Sequence, residues 1–417
     1  MNILVVGGGG REHAIVATLA KSPRVDKLYC APGNGGIAAL AECVPVMATD
    51  IEGVVKFALE NPVDYVMVAP DDPLALGMVD VLEDAGIRVF GPKKDAAIIE
   101  SSKVFSKKLM KKYGIPTAEY ETFSIMEEAL AYIDKKGAPI VVKADGLALG
   151  KGVVVASTVE EARDAVVSMM QDMKFGHSGS SVVIEECLTG PEVTVLAFTD
   201  GETIVPMLPS QDHKRAFDND EGPNTGGMGA FCPSQKYTPE LAAQCMDTIF
   251  RPTVDAMKTE GRKFKGVIYF GLMLTPNGPK VIEYNARFGD PETQAILPML
   301  DTDLLDVFEA VTDERLAEVD IKWKSGSSCC VAIASGGYPG SYEKGKLISG
   351  LENVPADITV FHAGTKLEDG KYYSDGGRVL GVTATADTLS AAVSRAYDGV
   401  REISFEGSFF RTDIGKR

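Results

Sequence analysis

Basic residues are scarce relative to acidic ones in this chain of 417 residues. Lys and Arg together number 42 against 59 Asp and Glu, which gives a formal net charge of −17. This excess of negative charge argues against a broad basic surface of the kind that binds nucleic acid or an anionic membrane. We therefore expect neither a nucleic-acid partner nor a membrane partner, although an acidic protein can still bind phosphate locally.

Paired cysteines and long apolar runs are also missing. The seven cysteines are odd in number and scattered, without a Cys-x-x-Cys pair, which disfavours a disulfide framework or a structural zinc site. No apolar run approaches the roughly 18 residues that a membrane helix requires. The opening segment lacks a basic region and its apolar run stops at glycines, so we interpret it as a buried strand rather than a secretory signal. A reducing cytoplasm is the expected compartment.

Strand and helix patterns alternate along the first hundred residues. An apolar run at residues 2–6 is followed by Gly7 to Gly10 and a helical pattern, and the alternation continues to about residue 90. Such alternation predicts an open parallel α/β sheet, which binds ligands at the carboxyl ends of its strands.

The remaining chain has shorter, mixed α+β patterns, with a change of composition after about residue 323. We predict three domains, at 1–101, 102–323 and 324–417, with a lid-sized subdomain at about 117–186. The elements whose outcome matters below are strands at 120–123 and 153–156 and helices at 73–84, 101–113, 126–136 and 239–260.

A glycine-rich loop between two predicted strands is the strongest local signal. It runs from Lys143 to Gly152 and carries a second lysine, Lys151. Glycine lets backbone N–H groups approach phosphate oxygens, and lysine neutralises their charge. The loop is not a Walker A motif, because a strand follows it. It indicates a phosphate site; the alternative is a plain glycine hairpin with solvated lysines.

Carboxylates mark two further segments. A strand ending at Glu186 runs into a linker before Glu192, which suits a purine along the linker and ribose hydroxyls on the carboxylate. Glu283, Asn285 and Arg287 share one face of a predicted hairpin strand. Two hard oxygen ligands suit Mg²⁺, and arginine binds carboxylate or phosphate as a fork. The alternative for both segments is a solvated polar face.

A long, irregular, glycine-rich stretch follows at residues 211–229, and loops of this length inside compact domains are usually functional or disordered. We interpret His213 within it as a structural hydrogen-bonding residue rather than a base. Ser and Cys residues lack the context of a catalytic triad, so nucleophilic catalysis has little support.

Nine motifs, taken in order, resemble the phosphoribosylamine–glycine ligase family of the ATP-grasp superfamily. They are GGGGREHA, PGNGG, SKVFSK, KADGLALGKGV, VVIEE, QDHKR, GPNTGGMGA, EYNARFGDPETQ and GGRVLGVTA. The resemblance covers essentially the whole chain. It implies a multidomain α/β and α+β protein: an N-terminal open parallel sheet that binds substrate, an ATP-grasp core with a mobile lid, and a small, mostly β C-terminal domain.

The resemblance also implies a reaction and its residues. Glycine is activated by ATP as glycyl phosphate, which the amine of 5-phosphoribosylamine attacks, with Mg²⁺ or Mn²⁺ as cofactor. The implied ATP contacts are Lys103, Lys143, Gly146, Gly150, Lys151, Gly152, Glu185, Glu186, Leu188 and Glu192. The implied metal ligands are Glu283 and Asn285. The implied catalytic residues are Lys143, Asp212 and Arg287. The implied substrate contacts are Gly8, Gly9, Arg11, Asn34, Gly35, Asp71, Asp212 and Arg287.

Two departures and three alternatives accompany this interpretation. Asn219 stands where glycine is common in the family. Family members usually have Gly-Pro-Glu where this chain has Ala69-Pro70-Asp71, which shortens a carboxylate near the implied sugar site by one methylene. The alternatives are another ATP-grasp carboxylate–amine ligase, a non-catalytic ATP-binding regulator, and a dinucleotide-dependent oxidoreductase. The last is disfavoured because the glycine fingerprint fails at Glu12. A monomer or weak homodimer is expected.

Overall fold

The computed structural model describes residues 1–147, 152–171 and 180–416 of the chain, and the elements below lie within those ranges. The N-terminal strands are β1 (Asn2–Gly7), β2 (Lys27–Pro32), β3 (Glu42–Cys43), β4 (Tyr65–Val68) and β5 (Val89–Phe90). They form a parallel sheet in the order β3-β2-β1-β4-β5. Residues 3–6 of β1 are completely buried, as expected for a central strand with both faces covered.

The helices around this sheet differ in two places from those predicted. They are α1 (Gly10–Leu19), α2 (Ile51–Glu60), α3 (Asp71–Leu76), α4 (Met78–Asp84), α5 (Lys94–Ser101) and α6 (Lys103–Tyr113). The single helix predicted at 73–84 is wrong, because Gly77 adopts φ 96° and separates α3 from α4. Helix α5 was not predicted; Ser102 ends it and caps α6 by accepting a hydrogen bond from the Phe105 N–H at 3.0 Å.

The predicted lid has its own sheet and its own core. Its elements are β6 (Tyr120–Phe123), α7 (Met126–Lys136), β7 (Ile140–Ala144), β8 (Val153–Ala156), α8 (Val159–Met170) and β9 (Val182–Glu186). The antiparallel strands have the order β6-β9-β7-β8. Ile133 of α7 and Val166 of α8 pack on Val142 and Ile184 of the sheet. Residues 187–191 connect this sheet to the next one.

A second antiparallel sheet, called the central sheet below, follows the lid in the chain. The elements that follow the lid are β10 (Glu192–Thr199), β11 (Ile204–Pro206), β12 (Gln211–Asp212), β13 (Arg215–Phe217), β14 (Glu221–Asn224), β15 (Gly229–Cys232), α9 (Pro239–Cys245), α10 (Arg251–Thr259), β16 (Gly266–Thr275), β17 (Gly278–Asn285), α11 (Glu292–Ile296) and α12 (Leu304–Thr312). The central order is β11-β10-β16-β17, and β16 and β17 form the predicted hairpin. The long helix predicted at 239–260 is divided by a π-helical turn, Met246–Phe250.

The last elements are β18 (Ser327–Ala334), β19 (Thr359–His362), β20 (Thr365–Glu368), β21 (Lys371–Ser374), β22 (Arg378–Ala386) and α13 (Leu389–Glu402). Their main sheet has the order β12-β15-β18-β22-β19, so it takes two strands from the segment before residue 324. The domain boundaries stay a prediction, and this sheet runs across one of them. Within the described ranges, every cysteine is a free thiol and no helix is long and apolar enough to cross a membrane.

Candidate active site

A buried carboxylate between two lysines lies where the lid sheet faces helix α6. Val182 and Ile184 of β9 enter the lid core, so alternation turns Glu185 to the opposite face. Lys107 Nζ lies 2.5 Å from Glu185 Oε2, and Lys143 pairs with the other carboxylate oxygen. The exposed fractions of Lys107 and Glu185 are only 4% and 2%. Burial alone would raise the pKa of Glu185, but Lys143 and Lys107 outweigh burial and lower it.

Two lysines of the predicted phosphate site hold backbone carbonyls of neighbouring segments. Lys143 donates to the carbonyl of Ile282 in β17 at 2.9 Å, which connects the lid to the central sheet. Lys103, the first residue of α6, donates to the Gly146 carbonyl at 2.8 Å. Burial lowers the pKa of Lys103, although Glu283 opposes that shift. The start of the glycine-rich loop is therefore fixed to the N-terminus of α6.

Hydrogen bonds fix both described ends of that loop. Asp145 accepts hydrogen bonds from the Val104 N–H and the Ser102 hydroxyl, both at 3.1 Å. Gly152 accepts a backbone bond from Ala144 at 2.8 Å, just before β8 begins. The predicted ATP contacts at positions 150 and 151 lie outside the described residues.

A fourth lysine bridges two of the carboxylates that are predicted to bind ligands. Lys214 Nζ lies 3.2 Å from Glu283 Oε1 and 3.3 Å from Glu192 Oε2. Burial alone would raise the pKa of Glu283, but Lys214 and Lys143 lower it to about 2. Glu283 is therefore ionised at neutral pH. Glu192, which was predicted to bind ribose, and Glu283, which was predicted to bind the metal, thus lie beside the same ammonium group.

The end of strand β17 presents the predicted metal and substrate residues in alternation. Glu283, Asn285 and Arg287 are each partly exposed, while the residues between them are buried. Arg287 Nη2 donates to Asn285 Oδ1 at 3.2 Å and pairs with Glu100 Oε1 at 2.9 Å. The Nε of Arg287 is buried and has no hydrogen-bond partner among the described residues. The guanidinium group therefore has a donor that the rest of the described chain does not use.

These oxygens fit a hard divalent cation. Glu283 supplies an ionised carboxylate and Asn285 a side-chain carbonyl from the same strand face. No group of three or more His, Cys, Asp or Glu side chains is arranged for a metal in the part of the chain that the structure describes. A set this small suits Mg²⁺, which usually keeps several waters and binds through one or two carboxylates plus substrate phosphates.

The predicted adenine border surrounds the connection between the two sheets. Glu186 Oε1 accepts hydrogen bonds from Lys280 Nζ at 2.8 Å and from the Glu119 N–H at 3.1 Å. Leu188 lies in the linker and is partly buried, and Glu192 opens β10 with its side chain 48% exposed. The Glu186 carboxylate therefore fastens the edge of the lid to β17.

Asp212 is half-buried in an acidic corner beside the buried Glu292. A Cβ atom placed on Gly227, whose φ is 119°, would lie 3.4 Å from Asp212 Oδ2 and 2.4 Å from Pro291, so only glycine fits between them. Burial and the nearby Glu292 raise the pKa of Asp212 well above its ordinary value. Because a neighbouring negative charge contributes to this shift, a cation at this position would stabilise the ionised form of Asp212.

The loops at the carboxyl end of the parallel sheet are tightly packed. A Cβ on Gly8 would lie 2.4 Å from the Gly33 carbonyl oxygen, and a Cβ on Gly35 2.9 Å from the Leu367 backbone nitrogen. Gly9 donates its N–H to Glu12 Oε2 at 2.6 Å. The chain therefore requires glycine at positions 8 and 35 to bring these loops against each other.

The side chain of Asn34 forms hydrogen bonds that hold these loops together. Its Nδ2 donates to the carbonyls of Gly8 and His362 at 2.9 and 2.8 Å, and its Oδ1 accepts from the N–H groups of Gly36 and Ile37, both at 2.9 Å. Both amide hydrogens and the amide oxygen are thus in use. A substrate contact at position 34 would come from the backbone rather than from this side chain.

Arg11 connects the same loops to the segment after β17, and Asp71 influences that segment electrostatically. Arg11 Nε pairs with Glu12 Oε1 at 2.7 Å, and Nη1 donates to the Phe288 carbonyl at 3.0 Å. Asp71 begins α3. Burial opposes the charge of Arg287, but Glu100 and Asp71 outweigh burial and raise its pKa.

Four charged residues of this region were not selected from the sequence. Lys107 and Lys214 lie within quoted motifs, as does Arg378, which donates to the Gly226 and Asp290 carbonyls at 3.0 and 2.8 Å. Glu100 belongs to helix α5, which was itself not predicted. His213 has the structural place that we expected. Its ring lies within 3.5 Å of backbone groups of residues 229 and 415, and burial lowers its pKa to about 4.

Known proteins match this arrangement along the whole chain. The models for the N, ATP-grasp (A) and C domains of phosphoribosylglycinamide synthetase match residues 1–100, 101–293 and 328–417. Phosphoribosylamine–glycine ligase of Halalkalibacterium halodurans is 49% identical over 100% of this chain and 97% of its own length. The enzyme of that name from a Nostoc species is 50% identical over 100% and 99%.

Solved structures agree with the sequence matches. The crystal structure of phosphoribosylamine–glycine ligase from Thermotoga maritima superposes with a TM-score of 0.85 at 33% identity, covering 99% of this chain and 100% of that one. A biotin carboxylase domain of Hydrogenobacter thermophilus 2-oxoglutarate carboxylase gives a TM-score of 0.75 at 18% identity, covering 98% and 91%. The second likeness concerns the fold alone.

Proposed function

This chain belongs to the phosphoribosylamine–glycine ligase family of ATP-grasp ligases, and from that premise we propose that it joins glycine to 5-phosphoribosylamine in purine biosynthesis. A carboxylate oxygen of glycine attacks the γ-phosphorus of ATP, and ADP leaves, which gives glycyl phosphate. The amine nitrogen of 5-phosphoribosylamine then attacks the carbonyl carbon. Phosphate leaves, the nitrogen loses a proton, and glycinamide ribonucleotide results.

The observation that carries this proposal is the set of cations gathered around two ligand-binding carboxylates. Lys143 and Lys214 both lower the pKa of Glu283, and Lys103 approaches the same carboxylate. Phosphoryl transfer to a carboxylate requires positioning and neutralisation of charge rather than a protein nucleophile. Lysines in a partly buried cleft provide that neutralisation more strongly than they would in open water.

For ATP, we assign Lys103 and Lys143 to the α and β phosphates, with the loop from Gly146 to Gly152, including Gly150 and Lys151, closing over them. Glu185, Glu186 and Leu188 border the adenine, and Glu192 accepts the ribose hydroxyls. The connection at 187–191 supports this assignment, because its residues are exposed or only partly buried where the chain passes from one sheet to the next. Glycyl phosphate hydrolyses in water, so closure of the lid protects it.

For the metal, we assign Glu283 and Asn285. A divalent cation bound there, Mg²⁺ or Mn²⁺, would neutralise phosphate charge. The residues around it have a separate task, because Lys214 holds Glu283 and Arg287 holds Asn285 in place.

For the other substrates, we assign the glycine carboxylate to Arg287 and the glycine ammonium to Asp212. The unused Nε of Arg287 and the acidic corner at Asp212 support this orientation. Gly8, Gly9, Arg11, Gly35 and Asp71 would border 5-phosphoribosylamine, with Asn34 acting through its backbone.

The decisive experiment is ADP release by purified protein with Mg²⁺-ATP and glycine, with and without freshly generated 5-phosphoribosylamine. We expect ADP release to need both substrates and a product with the mass of glycinamide ribonucleotide. Turnover with a different acid or amine would favour another ATP-grasp ligase. ATP binding without turnover on any acid and amine would favour a regulator.

The proposal also covers the cellular location, the oligomeric state and the metal ion. We place the enzyme in the cytoplasm, since its described cysteines are all free thiols. We propose a monomer or weak homodimer, which sedimentation analysis tests. Parallel assays in Mg²⁺ and Mn²⁺ test which ion supports turnover.

A further inference from the structure

A buried carboxylate of the N-terminal unit reaches the segment that carries the metal and substrate residues. Glu100, at the end of α5, is 8% exposed. Its Oε1 lies 2.9 Å from Arg287 Nη2, and its Oε2 accepts the Ala286 N–H at 2.6 Å. One carboxylate thus binds the backbone of one residue and the side chain of the next.

The same segment is held a second time from the same unit. Arg11 of α1 donates to the carbonyl of Phe288 at 3.0 Å. Residues 286–288 therefore contact two N-terminal helices, α1 and α5. Helix α1 directly follows one of the loops proposed to bind 5-phosphoribosylamine. Arg287 Nη2 also donates to Asn285 Oδ1 at 3.2 Å, so the guanidinium of Arg287 is held between Glu100 and Asn285.

Burial of the Glu100 carboxylate is unfavourable unless its ion pair and hydrogen bond are present. Burying a carboxylate carries a desolvation penalty of several kcal/mol, which is offset only when the charge is paired and its oxygens are hydrogen-bonded. Both oxygens of Glu100 have such partners. Its geometry is therefore determined closely, which is what a group that orients another side chain requires.

We propose that Glu100 is a positioning residue, which sets the guanidinium of Arg287 for the carboxylate of the acid substrate. This inference rests on the proposed function, in which Arg287 binds glycine. Glu100 itself does not touch the substrate. Its replacement should change the affinity for glycine far more than the affinity for ATP, because the proposed ATP contacts come from other elements.

The test compares Glu100→Gln with a matched control, Glu309→Gln. Glu309 is also a largely buried carboxylate, 13% exposed, that pairs with two arginines, Arg24 at 2.5 Å and Arg88 at 2.9 Å. We expect Glu100→Gln to raise KM for glycine at least tenfold, with KM for ATP changed less than twofold. Glu309→Gln should change neither. Equal effects of the two variants on KM for glycine would overturn the proposal.

A double-mutant cycle separates positioning from general destabilisation. If Glu100 acts through Arg287, Glu100→Gln combined with Arg287→Lys should raise KM for glycine no further than Arg287→Lys alone. Multiplicative effects would refute this route. Should Glu100→Gln fail to fold, Glu100→Asp keeps the charge but shortens the reach, and an unchanged KM for glycine in that variant would count against the proposal.

Crystal structures of the wild type and Glu100→Gln distinguish this inference from the proposed function. Absence of wild-type turnover with glycine would defeat the proposed function, and the position of Arg287 in the two structures would still decide the role of Glu100. A displaced guanidinium is the expected result. An unmoved guanidinium would overturn the positioning role.

Discussion

Replacement of Asn34 by alanine should destabilise the protein without removing a direct substrate contact. The side chain makes four hydrogen bonds, to the carbonyls of Gly8 and His362 and to the N–H groups of Gly36 and Ile37. A typical intramolecular hydrogen bond contributes about 1 kcal/mol net. Since the site is half-buried, water can replace some of these partners, and we expect a loss of about 2–4 kcal/mol in the free energy of unfolding.

Urea denaturation followed by circular dichroism and by the fluorescence of the single tryptophan, Trp323, measures this loss. Coincident transitions from the two probes justify a two-state free energy. Asn61→Ala is the matched control, because that side chain donates one hydrogen bond, to the Phe57 carbonyl at 2.9 Å. Its expected cost is about 1 kcal/mol.

Two results would refute the reasoning on Asn34. A loss of stability no greater than that of Asn61→Ala would show that the four hydrogen bonds of Asn34 do not stabilise the fold as proposed. A rise of tenfold or more in KM for 5-phosphoribosylamine, with stability unchanged, would show that the side chain binds substrate after all. We expect that KM to change less than threefold.

Three further predictions concern the metal, the phosphates and pH. Glu283→Ala combined with Asn285→Ala should lower turnover at least a hundredfold with the fold retained; full activity in high Mg²⁺ would contradict the metal assignment. Lys143→Ala should raise KM for ATP about tenfold and slow turnover, and unchanged ATP kinetics would remove this lysine from the site. His13 Nδ1 accepts the His362 N–H at 2.7 Å, and burial lowers the pKa of His13 to about 4. Because the unfolded value is about 6.5, stability present above pH 6.5 is lost as pH falls towards 4, by up to about 3 kcal/mol; a urea midpoint equally pH-dependent in His13→Gln would contradict this.

Local patterns were sufficient for much of the fold. The strands at 120–123 and 153–156 and the helix at 126–136 match the structure to the residue, because the strands are short runs rich in β-branched or aromatic residues and the helix has a continuous apolar stripe. The division at Gly77 was not visible, since the apolar pattern continues through it. Helix α5 was missed for the opposite reason: it is short and stands directly before a helix with a stronger signal.

The positions of the site residues along β17 could be predicted from the sequence, but their ion-pair partners could not. Glu283 and Asn285 alternate along β17 as the period of two requires, and Arg287, just beyond the strand, contacts Asn285. The family resemblance is confirmed. The pairing of Arg287 with Glu100 joins residues 187 positions apart, and no pattern in one sequence reports such a distance. The prediction for Asn34 was incomplete in a different way. The resemblance implies that this residue binds substrate, but its side-chain amide is already hydrogen-bonded to four backbone groups.

The sheet that pairs β15 with β18 has a consequence for dividing this protein. A cut at residue 324 would leave the edge of β18 without the neighbour that covers it, and Gly229–Cys232 without Ser328–Val331. Exposed strand edges of this kind recruit other chains and lead to aggregation. Fragments chosen by sequence composition alone should therefore be poorly soluble when made separately, whereas the two halves mixed during refolding should restore each other's missing strand partners.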